Sequence, residues 1–131
     1  MSELFFALLL ALGSCNAMAD WVKVGSNGDL TTYVEPSTIS KAGSSVSMWG
    51  VVDLKDARKE ETGKSFLSAK SLQEYDCQAA QTKKITLSFF SANMGAGEVV
   101  HTYTDPEKWK WTPVPHGTIV EAMWKAACGK M

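Results

Sequence analysis

TIVEAMWKAACG, residues 118–129, decides the fold. Thr118 and Glu121 have the spacing of a capping box, a hydroxyl that caps a helix followed three residues later by an acid that reaches back. Gly129 is a natural stop, because a helix commonly ends on a left-handed residue. Between them Ile119, Met123, Ala126 and Ala127 fall on one face, and Val120 and Trp124 widen it. Only Glu121 and Lys125 mark a polar stripe. An apolar stripe that wide must be covered by something broad and flat. The spacing therefore predicts one C-terminal helix lying on a β-sheet.

The chain upstream supplies the sheet. WVKVG (21–25), the turn signal GSNGD (25–29) and LTTYVEP (30–36) predict a hairpin. Pro36 and Ser37 predict its end, with a short helical turn over STIS. SSVSMWGVVDL (44–54) is the strongest strand, with Val46, Met48 and Val52 on one face and Trp49 and Val51 on the other. KDARKEETGK (55–64) predicts a charged loop, and SFLSAKSLQEYDC (65–77) another strand. KKITLSFFSA (83–92) predicts a strand with Ile85, Leu87 and Phe89 on one face. NMGAGE (93–98) predicts a tight turn, and VVHTYT (99–104) the returning partner. DPEKWKWTPVP (105–115) holds three prolines and predicts an irregular extended segment. Strands followed by one helix define an α+β fold: an antiparallel sheet of about six strands with the helix packed on one face.

At 131 residues the chain has room for one domain. LFFALLLAL (4–12) is too short to span a bilayer as a helix and fits the apolar part of a secretory signal peptide. Ala17-Met18-Ala19 has small residues where a signal peptidase cuts, which predicts a signal peptide over 1–19 and a domain over 20–131. The competing reading is a lipobox at Leu12-Gly13-Ser14-Cys15, which makes Cys15 the lipidation candidate. Either reading exports the protein, to the periplasm or to the outer membrane and cell surface. Beyond residue 19 the chain has 13 basic and 13 acidic residues. Such a balance offers no electrostatic pull toward nucleic acid, and contact with a membrane is expected only through a lipid anchor.

Export also bears on the cysteines. Cys77 and Cys128 are the two left for the domain, and an oxidising compartment would pair them; two buried free thiols are the alternative. Closing a loop of 51 residues stabilises the fold by about 4 kcal/mol through the unfolded chain.

Catalytic constellations are hard to assemble. Gly63-Lys64-Ser65 has the ending of a phosphate-binding loop, but Arg58 stands where the first glycine belongs, and Glu60 and Glu61 would repel a triphosphate. His101 and His116 are the only histidines, too few for a zinc site without cysteine ligands. Glu74 and Asp76 lie two apart, a spacing that suits acid–base work but is ordinary on a half-exposed strand. No enzyme, no metal site and no cofactor is expected. Five tryptophans are many for a domain this small. Trp21, Trp49 and Trp124 read as core, whereas Trp109 and Trp111, flanking Lys110 among prolines, read as either core edge or binding surface.

An ordered set of motifs carries a resemblance. It comprises W-V-K-V-G at 21–25, Y-V-E-P-S-T-I at 33–39, V-x-M-W at 46–49 and Y-D-C at 75–77. It continues with F-F-S-A-N-M-G-A-G-E at 89–98, W-x-W-T-P-V-P at 109–115 and W-K-A-A-C at 124–128. Together these resemble the surface-adhesin protein E family of small exported bacterial proteins. The resemblance implies a sheet and helix joined by a disulfide, no catalytic residues, and adhesion to host extracellular proteins by an often dimeric surface protein. It directs attention to basic side chains before the first core cysteine, here Lys64 and Lys70. The expected binding surface is therefore Lys64, Lys70, Trp109 and Trp111, with a protein partner and a homodimer in prospect. The alternative function is a soluble periplasmic protein that binds a small ligand or supports envelope assembly.

Overall fold

The computed structural model describes residues 20–104 and 109–129. The two leader readings and Cys15 lie outside the described residues. Six strands run in order as an antiparallel meander: β1 (Val22–Asn27), β2 (Leu30–Ala42), β3 (Ser45–Lys59), β4 (Ser65–Asp76), β5 (Gln81–Phe90) and β6 (Val99–Tyr103). A short β7 (Thr112–Pro113) pairs with the start of β5, and α1 (Ile119–Cys128) closes the chain. The α+β expectation, with one C-terminal helix on an antiparallel sheet, is what the chain forms.

The register explains the burial. Val34 faces Gly50, Val46 faces Tyr75, and Met48 lies between them on the same side of β3. These side chains meet Met123, Ala126 and Ala127 of α1 to form the buried core. Burying an aliphatic side chain of this size contributes about 1.5–3 kcal/mol. Two glycines let the helix come close. A Cβ on Gly25 would sit 2.9 Å from Ile119 Cγ1, and one on Gly50 would sit 3.2 Å from Met123 Cε.

The helix ends follow the sequence. Thr118 Oγ1 accepts from Glu121 N at 3.2 Å, and Gly129 takes the left-handed conformation with φ 69°. Glu121 reaches one residue further back than a simple capping box requires. Its carboxylate accepts from Gly117 N at 3.1 Å and pairs with His116 Nδ1 at 2.8 Å. The Gly117 bond first, then His116, holds this carboxyl below its usual range against a smaller opposing effect of burial.

Cys77 and Cys128 form a disulfide with a Cα–Cα distance of 5.7 Å. Beside it Trp124 Nε1 donates to Asp76 O at 2.9 Å. Covalent bond, indole and apolar face thus hold α1 to the end of β4.

Four local expectations need correction. β2 does not stop at Pro36 but runs on to Ala42, and STIS forms no helix. The pairing is interrupted between Glu35 and Ser40, where proline has no N–H to give. Thr38 bridges the gap, donating to Glu35 O at 2.6 Å and accepting from Trp49 N at 3.1 Å. The charged loop shrinks to residues 60–64, because Arg58 and Lys59 still pair with Phe66 and Ser65. Ile85 does not share a face with Leu87 and Phe89. It is the extra residue of a bulge between the Leu72–Thr86 and Gln73–Lys84 pairs. Residues 93–98 form no simple tight turn; their fold is described below.

Tyr75 is fully buried, and its hydroxyl has no hydrogen-bond partner among the described residues. Burial pushes its phenol well above the usual tyrosine range. Tyr75→Phe is expected to raise stability by about 1 kcal/mol, measured as a higher urea midpoint at pH 7. In the wild type only the unfolded phenol ionises readily, so stability should fall as pH climbs past about 10. The variant should lose that share of the alkaline slope. Reduction of the Cys77–Cys128 bond, or Cys77→Ser, is expected to cost about 4 kcal/mol in the same assay.

Candidate functional site

The sheet has two faces and the helix covers part of only one. On the opposite, open face the register aligns Glu35, Trp49, Leu72 and Thr86 across four strands, and Trp21 stands just before β1. The next row carries Lys23, Tyr33, Val51, Lys70 and Ser88. Trp21, Tyr33, Trp49 and Lys70 are all half-buried. Lys70 Nζ stands 5.7 Å from the centre of the Trp21 ring and 5.2 Å from that of Trp49. Each contact of this kind contributes about 0.5–1 kcal/mol at a partly exposed site.

The β5–β6 loop fixes this lysine. Rather than turning tightly, residues 91–98 fold back over the open face. Asn93 donates to Asp53 Oδ1 at 3.0 Å and to Leu54 O at 2.9 Å, and Met94 N donates to Asp53 Oδ1 at 2.7 Å. The buried Ser68 hydroxyl donates to Ala92 O at 2.6 Å and accepts from Gly95 N at 2.8 Å. Gly95, at φ 71°, then crosses the lysine stem so closely that a Cβ there would lie 2.7 Å from Lys70 Cδ. The stem is clamped by backbone, the ammonium rests over two indoles, and no carboxylate forms an ion pair with it among the described residues. It is a preorganised cation on an aromatic floor.

The other expected surface residues lie elsewhere. Lys64 is exposed in the β3–β4 turn, where its carbonyl accepts from Glu60 N at 3.0 Å. Gly63 takes φ 87° there, the conformation of a turn residue. Trp109 is half-buried and Trp111 is exposed; both precede β7, which pairs with β5. Trp109 separates two clefts. One, of about 710 Å³, lies between this segment, Gln73, Lys84 and Val120 of α1. The other, of about 460 Å³, is lined by Phe66, Leu87, Phe89 and Tyr103. Lys70 and the Trp109 region are thus distinct sites rather than one surface. Trp21 and Trp49, expected in the core, instead belong to the lysine site. No pattern in the sequence joins them to Lys70; only the strand register does.

Asp76 of the acidic pair caps a turn, accepting from Gln78 N and Ala79 N at 3.0 and 2.9 Å. Among the described residues no three His, Cys, Asp or Glu side chains are placed to hold a metal ion. Nor is any described helix long and apolar enough to cross a membrane.

A meander with one disulfide-tied helix and a preset cation among indoles has the make-up of a small binding module. The surface-adhesin protein E family model matches residues 21–129, and the chain belongs to that family. No curated protein matches the sequence. Among solved structures, crystal form II of Haemophilus influenzae protein E is similar with a TM-score of 0.66 at 13% identity, over 87% of this chain and 91% of that one. A second Haemophilus influenzae protein E structure gives 0.65 at 13% identity, covering 87% of each chain. Protein E from non-typeable Haemophilus influenzae gives 0.61 at 14% identity, over 86% of this chain and 78% of the other. At such identity the likeness is one of fold.

Proposed function

We propose that this protein is a non-enzymatic, exported binding module that captures a protein partner through the open face of its sheet. The observation that carries the reading is Lys70, clamped under Gly95 and held over Trp21 and Trp49. Tryptophan and a fixed cation on a rigid face are the ingredients of a binding hot spot, because little side-chain freedom is lost on contact. A partner presenting a carboxylate beside an apolar group suits this surface. Membership of a surface-adhesin family supports an extracellular host protein as that partner. Lys64 in the β3–β4 turn and the exposed Trp111 lie apart from this face and would serve only as separate, secondary contacts. Pairing with a second copy fits the β6 edge, where Val99 is 57% exposed.

Solid-phase binding of the purified protein to a panel of extracellular matrix proteins tests the reading. Lys70→Glu and Trp49→Ala are each expected to weaken capture at least about tenfold, the loss typical of a hot-spot residue. Both variants should remain folded at the assay temperature, with melting temperatures lowered by the equivalent of roughly 1–2 kcal/mol, which the lost ring contacts supply. Capture retained in both variants would remove the open face from the interaction.

The leader decides where the module works. Intact mass of the protein taken from its native envelope should show either a start at Asp20 or a lipid on Cys15. The first outcome points to a soluble or released protein, the second to a membrane-tethered one.

A further inference from the structure

The cleft of about 460 Å³ beside Trp109 has a chemistry opposite to that of the open face. Its walls are aromatic. Phe66 and Phe89 meet at 4.4 Å between ring centres, and Tyr103 stands edge-on to Phe89 at 5.8 Å. Leu87 completes the floor and Trp109 one side. At the mouth are Glu60 and Glu61, with Lys59 on the rim.

Glu60 is the informative residue. It is only 9% exposed, yet its carboxylate is met by neutral donors alone among the described residues. Thr62 donates to Oε1 through its backbone N–H at 2.9 Å and through its hydroxyl, and the Tyr103 hydroxyl lies 3.4 Å from Oε2. Neither Glu60 nor Glu61 forms an ion pair among the described residues, Lys59 included. Burial first, then the charges of Glu61 and Glu60, push the Tyr103 phenol up, which puts both acids within electrical reach of the aromatic wall. A carboxylate this hidden, met among the described residues by neutral donors alone, gains when a cation arrives.

The geometry points to a binding site for a small organic ammonium ion, its charge toward Glu60 and its alkyl groups against Phe66, Phe89, Tyr103 and Trp109. Aromatic faces attract such cations, and carboxylates at the mouth repel anions. The volume falls within the range of small-ligand pockets. A neutral molecule of the same shape would fill the cleft but leave the acid uncompensated. The inference is independent of protein capture through Lys70, which lies on the other face.

Titration calorimetry with choline, and with its neutral carbon analogue 3,3-dimethylbutan-1-ol, tests the site on the folded protein. Choline is expected to bind at least about tenfold more tightly, the margin of one desolvated cation contact. Glu60→Gln and Trp109→Ala should each remove most of that preference, whereas Lys59→Gln should enhance it. Glu61→Gln, at an exposed position, serves if Glu60→Gln fails to fold, and should weaken choline binding in the same direction. Sedimentation with dioleoylphosphatidylcholine vesicles separates the two sources of the head group. Binding to free choline alone assigns a soluble cation, and Glu60-dependent binding to both assigns the head group wherever it is presented. Equal binding of the neutral analogue, no binding of choline, or choline binding unchanged in the acid variants would overturn the assignment.

Discussion

A ten-residue helix cannot cover a six-stranded sheet. Helix α1 is about 15 Å long, whereas six strands span about 24 Å between their outer axes. The rest of the structure is arranged around this shortfall. The helix is placed where its wide apolar stripe gains most, over Val34, Val46, Met48 and Tyr75, and is tied there by Cys128 and Trp124. Gly25 and Gly50 reduce the gap beneath it, so a short helix still excludes water from a small core. Everything beyond its reach is protected by other means or left partly open.

Each uncovered region has its own solution. On the open face, rows of Trp, Tyr and Lys replace a second layer, and the β5–β6 loop bends over Ser68 and the Lys70 stem instead of projecting into water. Asp53 anchors that loop through Asn93 and Met94. On the helix side beyond α1, the segment around Trp109 leaves a cleft with aromatic walls and an acid mouth. A rigid base on one face and a half-hidden acid on the other give one small domain two surfaces of opposite charge. Both proposed sites lie in what the helix leaves uncovered, and the fold alone does not specify what they bind.

The fold was largely legible because its signals are local. Thr118, Glu121 and Gly129 mark the helix ends by side-chain and backbone chemistry that needs no tertiary context. The strands around Val46–Val52 and Leu87–Phe89 show alternation that any half-buried sheet requires. What could not be read were breaks in that alternation. Pro36 looked like an end because nothing nearby announces that Thr38 will carry the hydrogen bonds across. Ile85 looked continuous with Leu87 because a bulge has no residue signature of its own. The charged stretch 55–59 looked like a loop because a strand exposed on both faces has no apolar period. The site was less legible still. Lys70 could be singled out, but Trp21 and Trp49 lie 49 and 21 positions away from it in the chain, and only the strand register makes them neighbours. Glu60 read as one more charge in a solvated run, since its contact with Tyr103 of β6 joins residues 43 positions apart.

The meander also sets an order of assembly. Each of the first six strands pairs with its predecessor, so that part of the sheet can grow hairpin by hairpin as the chain appears N-terminus first, with short loops to close at every step. The helix is the exception. It needs the faces of β1 to β4 already in place, and its partner thiol has been waiting on the end of β4 since Cys77 emerged. Bond formation between Cys77 and Cys128 therefore has to wait until residues 78–127, with β5, β6 and the helix itself, have been delivered. The disulfide thus reports on the helix: a chain cut between Cys77 and Cys128 can neither close the bond nor cover the core with Met123, Ala126 and Ala127.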